Sequence, residues 1–378
     1  MMRSGLSNVS NQCFSNSVMQ CLASSPVIKD FIANYAREDE KLIEVICKFK
    51  LGKFKADEIN IECERILKEH LDILDASEKH ILSKLAKQSE SIFIYIAFKQ
   101  MIINMNTNRG TVLNNSRFLS IIKEIADDSG FEHLFNGSQN DVYEFMMYIF
   151  NKLHDAKSTE VKIDLPANIE DMDEISKLYA KDYKSFFEKD FSYFAKNFYY
   201  YIVNCIECSS CKKQSLSVNI NNIMALSIPT ELDGGITIYD CLNTMFNTES
   251  IIYKCEKCGN IEKNLIEKKI ISKPKSLIFA IKRYDNNRQK IKKMVQYPKI
   301  IDINNYYRGN ANTTYELYGV ILHSGDLNFG HYYAYIKDLK PDGTFDSQWT
   351  CCNDEKIYNI TEEQALSAQS SAYMLLYH

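Results

Sequence analysis

The sequence predicts an α+β protein, with helices gathered in its first half and strands in its second. Three observations carry this. In the first half, runs such as YAREDEKLIEVICKFK and ADEINIECERILKEHLDIL repeat apolar residues at helical intervals. From about 201 onward the pattern turns to strands, in VNCIECSSCKKQSLSV, ALSIP, IIYKCEKCGN, SLIFAIKRY and YELYGVILH. The 378 residues contain no internal repeat and suit one folded unit divided into lobes.

The first element begins at Cys13. Gly5 to Gln12 is polar and loop-forming, whereas Phe14, Val18, Cys21 and Leu22 keep helical spacing. Asn11 reads as the N-cap, and Pro26 lies just past the apolar run. A thiol in that first turn meets unpaired N–H groups and the positive helix end, which favour thiolate. Asn8 is close enough in sequence to return its amide to an oxyanion formed at a carbonyl attacked by Cys13. The plainer reading of Cys13 is a buried core residue, since cysteine is among the most buried types.

From Pro26 to about Met105 the chain reads as helical, with Cys47 and Cys63 as buried small hydrophobes inside it. NTNRGTVLNN is a loop, and SRFLSIIKEIADD another helix. QNDVYEF leads into a helix through Val142, Phe145, Met146, Ile149 and Leu153; Gln139 and Asp141 fall near its start, to cap it or to face a ligand. His154 reads as a solvated helix-end residue. IEDMDEISK looks like an acidic linker, and FFEKDFSYFAKNFYYYI is able to begin a strand.

A net charge of -4 leaves no basic footprint for nucleic acid. No window approaches about eighteen uninterrupted apolar residues, and the N-terminus lacks the apolar core of a secretory signal, so no membrane partner and an intracellular location, cytoplasm or nucleus, are expected. Twelve cysteines in such a chain, several in C-x-x-C pairs, point to metal in a reducing compartment. Cys208 with Cys211, and Cys255 with Cys258, form two knuckles able to supply four thiolates to one structural zinc. Gly259 supports the second turn. Cys205 with Cys208 offers a competing register.

Near the C-terminus, His331 opens an alternating strand behind Gly330, which leaves room for a substrate backbone. Asn353 or Asp354, at the end of WTCCND, is placed to hold one ring nitrogen while the other acts on Cys13. His331 could equally be a satisfied core histidine, and His323 a loop anchor.

Together these stretches resemble the ubiquitin-specific proteases, a papain-like deubiquitinase family. GLSNVSNQCFSNSVMQCL is similar to its cysteine box, and QNDVYEF, the paired knuckles, SLIFAIKRY, YELYGVILHSGDLNFGHYYAYI, WTCCND and AYMLLYH follow in matching order across essentially the whole chain. The resemblance implies a papain-like fold with a helical thumb (1–200), zinc-braced β fingers (201–275) and a β palm (276–378). It implies Cys13 as nucleophile, His331 as general base and acid, Asn353 as its orienting partner with Asp354 assisting, and Asn8 in the oxyanion hole. Gln139, Asp141 and Tyr332 match positions lining the channel for ubiquitin's tail, and His323 a loop flanking it. The four knuckle cysteines match the zinc ligands, a register that sets Cys205 aside. The implied activity is hydrolysis of the bond after ubiquitin's terminal glycine through a thioester, with ubiquitin and ubiquitinated proteins as partners, by a monomer without a catalytic cofactor.

Two features depart from the family. Ser10-Asn11-Gln12-Cys13-Phe14 stands where the box usually reads Gly-Asn-Thr-Cys-Tyr, and the distance to QNDVYEF is longer, with the surplus expected in the charged helices between about 30 and 90. No domain is expected outside the catalytic unit. The alternatives are a non-catalytic ubiquitin-binding scaffold, which the presence of Cys13, His331, Asn353 and Asn8 disfavours, and a protease for another ubiquitin-like modifier or a polyprotein. A zinc-dependent nucleic-acid module is opposed by the charge.

Overall fold

The computed structural model describes residues 2–126, 130–135, 137–232, 234–285, 287–326 and 329–378. The helical lobe opens with a short strand, β1 (Gly5–Leu6), and α1 (Cys13–Ser24), followed by α2 (Pro26–Asn34), α3 (Ala36–Lys48), α4 (Ala56–Glu69) and α5 (Ala76–Thr107). After β2 (Val112–Leu113) come α6 (Ser116–Ala126), α7 (Val142–Lys157), α8 (Glu174–Phe187) and α9 (Tyr193–Phe198). Asp127 and Asp128, at the end of the predicted SRFLSIIKEIADD helix, lie outside the described residues.

The helix boundaries follow local chemistry. Ser25 accepts from the N–H of Ile28 and Pro26 occupies the first turn of α2, so α1 stops where α2 starts. Asp75 and Glu78 form a capping box at the head of α5, whose only non-helical interior residue among those described is Gln88. The predicted N-cap of α1 is corrected: Asn11 has φ 51°, in the left-handed region, and Gln12 is the N-cap without a side-chain bond. Asn11 instead donates its amide to the carbonyl of Gly137 at 2.9 Å.

Other expectations also change. The acidic IEDMDEISK stretch is not all linker, because Asp173 accepts from the N–H groups of Ile175 and Ser176 and starts α8. The middle of the aromatic run is the helix α9, capped by Ser192, and a strand begins only at Tyr200. Cys47 is exposed, whereas Cys63 is buried as expected. His154 is buried: its Nδ1 lies 2.7 Å from Ser192 Oγ, and its ring packs on Tyr199.

The next segment holds β3 (Tyr200–Glu207), β4 (Gln214–Asn221), β5 (Met224–Ser227), β6 (Ile236–Thr237), α10 (Ile238–Phe246), β7 (Glu249–Lys254) and β8 (Ile261–Ser272). Four of these strands make a sheet in the order β4-β3-β8-β7. β5 leaves it and pairs in parallel with the strand Leu277–Lys282 of the larger sheet, so the interval 201–275 is not one continuous set of fingers.

The last segment carries that strand, β9 (Leu277–Lys282), then β10 (Val295–Gln296), β11 (Ile300–Asp302), β12 (Thr314–Gly325), β13 (Gly330–Leu339), β14 (Phe345–Asn353), β15 (Lys356–Ile360), α11 (Glu362–Ser367) and β16 (Ala372–Tyr377). The eight-stranded sheet runs β15-β14-β13-β12-β16-β9-β5, with β11 paired to β12. Alternation along its strands separates two cores. Ile321, Ala334, Ile336 and Met374 face the helical lobe, while Val320, Leu322, Leu375 and Tyr377 face the side bearing α10. α1 is nearly all buried, packs against β12, β13 and α7, and thereby sets Cys13 at the seam between the helical lobe and the large sheet. Among the described residues no helix is long and apolar enough to cross a membrane.

Candidate active site

Three segments distant in sequence meet at Cys13. The thiol is 3% exposed and opens α1, where the first N–H groups have no preceding helical carbonyl to satisfy them and the first turn itself carries no acidic side chain. His331, at the start of β13, has its Nε2 2.7 Å from Asn353 Oδ1. The ring nitrogen left for the thiol is Nδ1. The hydrogen bond to Cys13, reinforced by Asn353 and by the charges of Cys13 and Asp354, raises His331 from the ordinary imidazole range to about 9 against a smaller opposing effect of burial. The thiol is therefore the partner that does most to keep the ring basic, and near pH 7 the imidazole is held in its protonated form.

Asn353 and Asp354, left open as ring partners by position alone, with Asn353 implied by the family resemblance, have different places. Asn353 takes the ring nitrogen, and the Asp354 carboxylate lies 3.7 Å from the same atom. Asp354 stands at φ 52°, and its carboxylate accepts from Asn8 Nδ2 at 2.8 Å and from Asn16 Nδ2 at 2.8 Å, while its carbonyl accepts from the N–H of Leu6. Gly5 permits this approach, since a Cβ there would lie 2.6 Å from the carbonyl oxygen of Glu355. The cysteine loop and the loop after β14 are thus tied on both sides of the ring.

Asn8 does more than await an oxyanion. Its Oδ1 accepts from the N–H of Gln12 at 2.8 Å and one amide hydrogen goes to Asp354, which fixes its orientation and leaves the second hydrogen. Sequence reasoning missed Asn16 and Asn115. Asn115 donates to Asn16 Oδ1 at 2.6 Å, and Asn16 donates in turn to Asp354 and to the carbonyl of Ser7. The available signal was spacing: Asn16, one turn after Cys13, had to share the face that meets the sheet.

The residues expected to line a tail channel are brought together but are occupied internally. Gln139 grips the backbone of Gly330 with both ends of its amide. Asp141 caps α7 through the N–H of Tyr143 and accepts from the hydroxyl of Tyr373. Tyr332 is buried against Tyr373 and His323. The space expected beside Gly330 for a substrate backbone is filled by His323, whose Nε2 would stand 2.0 Å from a Cβ at that position. His323 is no loop residue: it lies in β12, with Lys290 Nζ 2.9 Å from its Nδ1. Burial and the Lys290 charge pull it down to about 4, so it stays neutral near pH 7 and is not the base.

At the far end of the β4-β3-β8-β7 sheet, Cys208, Cys211, Cys255 and Cys258 place all four sulfurs within 4.8 Å of one another. Sγ separations of 3.8 Å (Cys208 to Cys258) and 3.6 Å (Cys211 to Cys255) match the edge of about 3.8 Å for a tetrahedron with metal–sulfur bonds of about 2.3 Å. The knuckles are built alike. Lys212 at φ 59° and Gly259 at φ 74° follow the second cysteine of each pair, and their N–H groups bond back to the carbonyls of Cys208 and Cys255. The N–H groups of Cys258 and Lys257 help pull the Cys255 thiol down to about 6. This cluster is able to hold a metal ion, and Cys205 lies outside it on β3.

Comparison with known proteins gives the fold and the family. The fold is similar to that of a chain in the SAGA DUB module Ubp8/Sgf11/Sus1/Sgf73 bound to monoubiquitin, with a TM-score of 0.64 at 19% identity over 99% of this chain and 68% of that chain. The same module bound to ubiquitin aldehyde gives 0.63 at 18% identity, covering 99% and 69%. The sequence profile of the ubiquitin carboxyl-terminal hydrolases matches residues 4–377, and the chain belongs to that family. Among relatives, ubiquitin carboxyl-terminal hydrolase 16 of Arabidopsis thaliana is 24% identical over 384 residues, 99% of this chain and 30% of that protein. Ubiquitin carboxyl-terminal hydrolase 8 of Saccharomyces cerevisiae is 22% identical over 393 residues, 99% of this chain and 70% of that protein. The chain spans 45% of a Schizosaccharomyces pombe relative that is 27% identical over 248 residues.

Proposed function

We propose that the chain is a cysteine-dependent deubiquitinase that cleaves the isopeptide or peptide bond after ubiquitin's C-terminal glycine. The observation that carries this reading is the Cys13, His331 and Asn353 arrangement at the lobe seam, in a chain of this family. In the proposed reaction the Cys13 thiolate forms a bond to the glycine carbonyl carbon. The oxyanion takes the free amide hydrogen of Asn8 and first-turn N–H groups of α1. As the C–N bond breaks, the His331 imidazolium gives its proton to the leaving lysine nitrogen. Water then gives a proton to the same ring and its oxygen attacks the thioester; the C–S bond breaks, returning thiolate and imidazolium.

Asn353 keeps the ring oriented, and Asp354 holds Asn8 and the two loops in register. Tail recognition by Gln139, Asp141 and Tyr332 requires their internal contacts to be exchanged for contacts with the tail, beginning with the Gln139 grip on Gly330. Zinc is the ion proposed for Cys208, Cys211, Cys255 and Cys258, since four thiolates with no open position suit a structural ion that braces the knuckles. Every proposed catalytic group comes from one chain, which favours a monomer able to act alone. The intracellular assignment, cytoplasm or nucleus, is supported by free thiols throughout the chain.

Release of a fluorophore from the C-terminus of ubiquitin, compared with the same fluorophore on other ubiquitin-like modifiers, tests the reading. Turnover of the ubiquitin conjugate at least about tenfold above the others in kcat/KM is expected. Turnover of another modifier alone would replace ubiquitin in the reading, and no turnover of any would leave a binding scaffold.

A further inference from the structure

A cavity of about 250 Å³ lies in the helical lobe between α3, the first half of α5 and the end of α7, separate from Cys13. Leu42, Ile81 and Ile92 make its apolar wall. Lys41, Lys84 and Lys157 also line it, against one acid, Glu38. Lys157 is 5% exposed, with its Nζ over the rings of Tyr35 and Tyr95 and 2.6 Å from Asp39 Oδ1. Asp39 is already shared, because it also accepts from Lys99 and from Tyr95 Oη. One carboxylate thus serves two ammonium groups. Glu38, 3.9 Å from Lys157, is largely in solvent. Lys84 has no ion pair or hydrogen bond among the described residues, although it is half-buried. Burial and the neighbouring Lys157 charge pull its ammonium down to about 8, more than the charges of Glu38 and Asp39 offset, and neither acid makes an ion pair with it among the described residues.

We propose that this cavity binds a small organic anion, its carboxylate or phosphate between Lys84 and Lys157 and its apolar body against Leu42, Ile81 and Ile92. The chemistry follows from what the site lacks. A desolvated ammonium without a partner is costly, and an anion that brings an apolar body satisfies the charge and covers the wall together. The volume falls just below the range of drug-sized ligand pockets, which selects a small ring or short chain.

Phenyl phosphate is the probe, titrated into the full chain by calorimetry and followed by the methyl resonances of Ile81 and Ile92, with inorganic phosphate and benzyl alcohol as separate arms. Saturable one-to-one binding of phenyl phosphate is expected, moving both methyls, with benzyl alcohol silent and inorganic phosphate weaker. Lys84→Met, which keeps the bulk of the side chain and removes the charge, should fold with an unchanged or higher Tm and bind at least about tenfold more weakly. Lys84→Arg should keep the binding. Equal affinity in Lys84→Met, equal binding of benzyl alcohol, or no binding of phenyl phosphate at millimolar concentration to wild-type protein would overturn the proposal.

Discussion

The seam between the lobes and the tip of the small sheet both collect cysteine chemistry, and they do it in opposite ways. At the tip, two local turns supply every sulfur, backbone amides approach them, and the thiols face one another. At the seam a single thiol depends on an imidazole and an amide from strands more than three hundred residues away in sequence. Neighbouring thiols show how much this depends on surroundings. Cys21, on the same helix as Cys13, and Cys352, beside Asn353, are buried without such partners, and burial pushes Cys352 up to about 12 and Cys21 higher still. The imidazole partner and the place in the first turn of α1 together set the proposed nucleophile apart from these core thiols.

The largest way to break the contrast is to remove the imidazole. His331→Ala should lower kcat for the ubiquitin–fluorophore conjugate by about a thousandfold or more while leaving the metal content of the four-cysteine cluster unchanged, measured by turnover and metal analysis on one sample. Next comes the proton. In the wild type His331 should titrate near 9, and in Cys13→Ala its midpoint should fall toward the ordinary imidazole value of about 6.5, read by NMR, because the thiol partner is the largest cause of the shift. The sign follows from a raised value: the pair's contribution to stability is complete below about 6.5 and is lost as pH rises through about 9. The basic limb of kcat/KM should fall in the same window as the leaving nitrogen loses its proton donor.

Asp354→Ala should act less strongly, about tenfold on kcat/KM, with about 1–3 kcal/mol lost from stability in urea unfolding, since the amides of Asn8 and Asn16 lose their shared acceptor. A stability loss without a kinetic effect would make Asp354 a brace only. The smallest effect is expected where the two regions are compared directly. Removing metal with a chelator should make amides of 208–213 and 255–260 exchange rapidly, yet change the alkylation rate of Cys13, followed on its own peptide, by no more than about twofold.

The two regions also differed in how far they were legible before the structure. Pair spacing displayed the four-cysteine cluster, because a C-x-x-C turn places both sulfurs by local geometry alone. The segregation of helices and strands was legible from periodicity, although β5 crosses to the large sheet, a choice made by tertiary pairing that no local pattern announces. At the seam the sequence displayed Cys13, His331 and Asn353 with Asp354 as a neighbour, but position alone did not say which of the last two holds the ring, and only the family resemblance pointed to Asn353. That depends on the left-handed turn at Asp354 and on Asn8 and Asn16 arriving from the other lobe. His154 was misread as solvated because its burial comes from Ser192 and Tyr199, which lie in a segment whose own helix was hidden by aromatic composition.

The most direct test of the central claim is intact-mass measurement after mixing the protein with ubiquitin carrying a C-terminal electrophile. Wild-type protein should gain the mass of one ubiquitin, at Cys13 on peptide mapping, while Cys13→Ala gains nothing and His331→Ala reacts far more slowly. An adduct on Cys13→Ala, or no adduct on folded, metal-loaded wild-type protein, would contradict the assignment of Cys13 as the thiol that attacks ubiquitin's tail.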